Sequence, residues 1–106
     1  MTKKCVIKEP GKPWRWGTIE DYKDLQKLVG GYIEAAPICP DVCTVYVNEE
    51  GKLQDLDPNM LWCANGGVHD VLVGTLVVLG PPDEDGDDTD LTPQAFSKLC
   101  EHLDLY

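Results

Sequence analysis

The chain has 106 residues, with 19 acids against nine bases, a formal net charge of −10 and an isoelectric point near 4.3. That balance repels nucleic acid and anionic membrane, so neither is expected as a direct partner. No stretch approaches the ~20 apolar residues of a membrane span, and the opening MTKKCVIKEPGKP lacks the apolar run of a secretion leader. A cytoplasmic location is expected. Hydrophobic residues at 42% and charged residues at 26% are ordinary for a globular protein, and the length suits one domain over residues 1–106. The five cysteines, Cys5, Cys39, Cys43, Cys63 and Cys100, are odd in number and scattered, which argues for reduced thiols.

Residues 4–8, KCVIK, alternate apolar and polar, with Cys5 and Ile7 on one face. Pro10-Gly11-Lys12-Pro13 reads as a turn. Trp14-Arg15-Trp16 alternates again, both indoles on one face and the guanidinium on the other. Together these pieces predict a hairpin. IEDYKDLQKLV follows, with Tyr22, Leu25, Leu28 and Val29 at helical spacing. Glu20, Asp21 and Asp24 come early and Lys23 and Lys27 later, an order that suits the helix dipole. Thr18 or Asp21 supplies the N-cap. Gly30 or Gly31 closes the helix in the left-handed conformation, and the neighbouring glycine lets the chain swing into a strand over residues 32–38.

Thr44-Val45-Tyr46-Val47 has the β-branched and aromatic content of a strand. Asn48-Glu49-Glu50-Gly51 is a turn, KLQDLDPNMLW is a short segment broken at Pro58, and Asn65-Gly66-Gly67 is another turn. Residues 71–79 are almost continuously apolar, interrupted by Gly74 and Thr75, which predicts a central strand covered on both faces. PPDEDGDDTD at 81–90 is an acidic loop. Thr92 as N-cap and Pro93 at the first helical position open a last helix, with Phe96, Leu99, Cys100 and Leu103 as its apolar stripe. The pattern predicts an α+β fold: a mostly antiparallel sheet of about five strands with two helices packed on it.

Side-chain chemistry is sparse. Cys39 and Cys43 have the spacing of half a zinc site, but the other candidates, Cys63 and His69, fit no common zinc pattern. In the acidic loop the glycine falls at the fourth position counted from Asp83, and the twelfth is Gln94, so the register of a calcium-binding EF-hand loop is wrong. No metal and no cofactor are expected. Ser97 lies within a helix and His69 and His102 are far apart in sequence, so no nucleophile, base and oxyanion site is assembled. No catalytic residue is assigned, and an enzyme is not expected. Charge is unevenly spread. Residues 1–15 hold five bases and one acid, +4, while residues 16–106 sum to −14. The first hairpin is a positive element on an acidic body, and KPWRW has the aromatic faces and guanidinium that grip a nucleotide. The plainer reading is a strand with its indoles packed on the core. The glycine pair reads as a helix-to-strand corner. A phosphate cradle needs glycines at a helix N-terminus, and these follow the helix.

LQKLVGGYIE, then NEEGKLQDLDPN, then DVLVGTLVVLG, in this order, resemble the family of domain of unknown function 3846, small proteins of bacteriophages, conjugative elements and their bacterial hosts. The likeness covers residues 19–80. It implies a mobile-element origin and a bacterial cell as the setting, and it supplies no catalytic residue. Relatives often carry an arginine after the asparagine of the Pro-Asn step, where this chain has Met60 after Asn59.

Two functions are expected in order of preference. The first is a non-enzymatic interaction protein that counteracts a host protein, bound at its basic surface through Asp83, Glu84, Asp85, Asp87, Asp88 and Asp90. The second is a binder or sponge for a small nucleotide signal, using Trp14, Arg15, Trp16, Gly30 and Gly31. Homo-oligomers would suit the second, because shared interfaces form ligand sites.

Overall fold

The structure is a computed structural model that describes residues 2–106. In chain order it contains β1 (Lys3–Lys8), β2 (Arg15–Ile19), α1 (Tyr22–Val29), β3 (Ile33–Ala36), β4 (Thr44–Asn48), β5 (Pro58–Ala64), β6 (Gly67–Val73), β7 (Leu76–Leu79), α2 (Pro93–Cys100) and β8 (Leu103–Leu105). Five strands form one sheet in the order β2-β1-β7-β4-β3, and three form a second in the order β6-β5-β8. Every pairing is antiparallel. The fold is α+β, as the sequence pattern predicts, and the second sheet is an addition to that expectation.

The five-stranded sheet is the middle layer, because alternate side chains of its strands are buried on opposite faces. Val77 and Leu79 of β7 join Cys5, Ile7 and Ile19, and α1 covers them with Leu25 and Val29. Leu76 and Val78 point the other way, with Val6 and Val45, and there meet Met60 and Leu72 of the second sheet and Leu99 of α2. All four residues of β7 are therefore buried. This part of the central strand is as expected.

The apolar run of residues 71–79 is not one strand. It breaks at Gly74, whose φ of +73° belongs to the left-handed region. A Cβ there would lie 2.8 Å from Leu56 Cδ1, and the Gly74 amide donates to Asp57 O at 2.8 Å. The chain leaves the second sheet as β6 and enters the first as β7. The run is apolar because each half is buried by a different sheet. Pro58 likewise starts a strand: it is the first residue of β5, a position where its missing N–H leaves the ladder intact. The last helix ends at Cys100 rather than extending to Leu103. Residues 103–105 form β8, and Leu103 pairs with Trp62. Cys100 is exposed, so it is not part of the buried stripe.

The helix termini follow the local chemistry. Asp21 caps α1 by accepting from the amides of Lys23 and Asp24. Gly30 closes it at φ +79°, its amide donating to Gln26 O. Gly31 has a separate task. A Cβ there would lie 2.9 Å from Asn48 Nδ2, and that amide donates to Val29 O at 3.1 Å. The glycine pair thus lets a β4 side chain fasten the end of α1. Thr92 caps α2 through the Ala95 amide, with Pro93 following it.

Candidate functional site

The acidic loop is a folded structure rather than a loose run of charge. Asp83 Oδ1 accepts from the amides of Asp85 and Asp87, each at 2.9 Å. The Asp83 amide donates to Asp87 O, and Gly86, at φ +83°, donates to Asp83 O. Thr89 Oγ1 donates to Pro81 O at 2.6 Å and closes the base. Two further bonds fasten the loop to the first sheet. Tyr46 Oη donates to Asp88 Oδ1 at 2.7 Å, and the Lys4 amide donates to Asp90 Oδ1 at 2.8 Å. Burial, together with donation to Asp88 and its charge, pushes the Tyr46 phenol well above its ordinary pKa.

The six acids expected to meet a partner therefore divide. Asp88 and Asp90 anchor the loop, Asp83 organises it, and Glu84, Asp85 and Asp87 are exposed and project from it. The carboxylates of Asp83, Asp85 and Asp87 lie within 4.8 Å of one another, a concentrated negative charge. This is the only group among the described residues in which three metal-ligating side chains converge. Cys39 and Cys43 do meet, Sγ to Sγ at 3.8 Å, but Cys63 and His69 do not join them. Burial pushes the Cys43 thiol up to about 12, and the neighbouring Cys39 adds to the shift.

Sequence reasoning missed what lies beside the loop. A cleft of about 450 Å³ is lined by Gly86, Asp87 and Asp88 of the loop and by Glu20, Asp21 and Tyr22 at the start of α1, with Lys3 of β1 as the one base among its lining residues. Tyr22 is 59% exposed. The acids opening α1 were legible as dipole partners. Their placement against the loop depends on β1 lying beside both segments.

The other expected site is dispersed. Trp14 and Trp16 both pack edge-on against Phe96 of α2, with ring centroids 5.1 and 6.1 Å away. Arg15 lies on the opposite face, opposite Ile7 in the register. Its guanidinium donates to Glu9 Oε2 at 2.8 Å and, with Lys12, holds the Glu9 carboxyl below its usual range. Gly30 and Gly31 adjoin β3, the far edge of the sheet from β2. These five residues do not form one site.

Fold and surface together define a small α+β protein of two antiparallel sheets carrying a structured, exposed acidic loop. The chain belongs to the family described as Domain of unknown function (DUF3846), whose model matches residues 1–104. No curated protein and no solved structure matches the chain significantly.

Proposed function

We propose that the protein is a non-enzymatic interaction protein of a phage or other mobile element, which binds and counteracts a host protein through its acidic surface. The observation that supports this reading most is the junction of the acidic loop with the start of α1. There Asp87 lines the junction beside Glu20 and the exposed Tyr22; Glu84 and Asp85 are exposed on the same loop, and the side chains of all three stand clear of the bonds that hold it. An aromatic side chain rimmed by carboxylates suits a basic protein surface: the ring gives contact area and the charges give steering and register. The pre-folded loop lowers the ordering cost of binding. Resemblance to a family of phage and conjugative-element proteins supports the mobile-element setting.

The test is affinity capture from a bacterial host lysate with the wild-type protein and with E84Q/D85N/D87N. These three side chains anchor nothing in the loop, so the variant keeps its fold. The reading expects a protein that the wild type retains and the variant releases. Identical capture profiles would refute it.

A further inference from the structure

Lys8 is buried, with 3% of its surface exposed, on the inner face of β1. Its ammonium has three donors and only two acceptors in the protein, both neutral: Asn59 Oδ1 at 3.0 Å and Glu9 O at 3.3 Å. No ion pair among the described residues includes it. Asn59, also 3% exposed, is held rigidly. Its Nδ2 donates to Lys8 O at 2.8 Å and to Gly74 O at 2.7 Å, so its Oδ1 is fixed toward the ammonium. Burying an ammonium without a counter-charge is costly, and the cost falls as further acceptors reach it. Burial accordingly lowers the Lys8 pKa.

Lys8 and Asn59 are among the residues lining a pocket of about 510 Å³ between the β1–β2 turn and the second sheet. Lys12 and Trp14 line it from the turn, and Leu105 and Tyr106 from the end of the chain. No aspartate or glutamate is among the lining residues, and Glu9, next to Lys8, turns its carboxylate to Arg15 and Lys12. A volume of this size suits a small organic molecule. A lysine acts on an oxyanion as a point charge, and an indole offers a face to a ring.

We propose that this pocket binds a small organic anion, a phosphate monoester or carboxylate carrying a planar ring. The head group takes the third donor of Lys8, Asn59 holds the ammonium in place, and Trp14 lies along the ring. Lys12 is exposed and 3.6 Å from Glu9 Oε2, so the positive charge it adds to the lining is partly offset by that carboxylate. The site is separate from the acidic surface and does not depend on the function proposed for it.

Three probes that share a phenyl ring decide it: phenyl phosphate, benzoate and benzamide, the neutral isostere of benzoate. Each is titrated to about 20 mM, a range that detects even millimolar binding. Amide-correlation NMR follows the Trp14 indole N–H and the Asn59 side-chain amide. Saturable shifts of both signals with at least one anion, and none with benzamide, are expected. Phenyl phosphate alone would identify a phosphate site, and benzoate alone a carboxylate site. Lys8→Met should weaken binding at least about tenfold and Lys12→Ala about threefold. Lys12→Ala changes an exposed residue, so it remains informative if Lys8→Met does not fold. The proposal is overturned if neither anion moves the signals, if benzamide moves them equally, or if every folded variant binds as the wild type does.

Discussion

Tyr46→Phe removes one oxygen from the bond that fastens the acidic loop to the first sheet. The Tyr46 Oη to Asp88 Oδ1 distance of 2.7 Å marks a strong hydrogen bond to a carboxylate. Such bonds contribute about 1.5–3 kcal/mol. Both partners are only partly buried, and solvent screening brings the expected loss to about 1–1.5 kcal/mol. In urea, with a slope of about 1–3 kcal/mol/M, the midpoint falls by roughly 0.3–1.5 M and the slope stays constant. Asp88→Asn closes a double-mutant cycle, and the coupling should be about 1 kcal/mol. The pH dependence has a defined sign. The folded-state pKa of Tyr46 is raised above its ordinary 10.0, by burial first and by Asp88 next. Its contribution is complete below pH 10 and is lost as the pH climbs above it. The gap between wild type and Tyr46→Phe therefore narrows in strong alkali. A midpoint shift under about 0.2 M, or fully additive mutations, would refute the anchoring role.

Other expectations follow from the same contacts. Gly74→Ala combines a left-handed backbone with a Cβ 2.8 Å from Leu56, and should lower stability by at least about 2 kcal/mol in urea unfolding; a change below about 0.5 kcal/mol would show that β6 and β7 are joined differently. Time-resolved alkylation of the native protein, read by peptide mass spectrometry, should label exposed Cys100 first, then Cys39 and Cys63, with buried Cys5 and Cys43 last. Labelling of Cys43 as fast as Cys100 would contradict its burial and its pKa of about 12.

Much of the fold was legible where the signal is local. The β1–β2 hairpin and the Thr92-Pro93 start of α2 each follow from a few adjacent residues, and local chemistry narrows the cap of α1 to Thr18 or Asp21 and its closure to Gly30 or Gly31, of which Asp21 and Gly30 serve. The second sheet was hidden because its signals are ambiguous or distant. Leu103 falls at the spacing of a helical stripe and also alternates with Leu105 across Asp104. Pro58 reads as a breaker, yet a proline at the first position of a strand breaks nothing. The run at residues 71–79 shows that its residues are buried and not which sheet buries them.

The sites divide in the same way. Clustered acids in the loop are visible in one dimension, but the division between Asp88 and Asp90 as anchors and Glu84, Asp85 and Asp87 as free groups needs Tyr46 and Lys4. Lys8 looks like an ordinary solvated lysine at the end of KCVIK. Only the bond to Asn59, 51 residues away, shows that it is buried and held.

The most direct test of the acidic-surface account is the affinity of the purified protein for the host protein it captures, measured calorimetrically at low and high salt. For the wild type, affinity should fall steeply as salt rises. For E84Q/D85N/D87N it should be at least about tenfold weaker at low salt and should fall less steeply as salt rises. Equal affinities for the two forms at both salt concentrations would contradict the account.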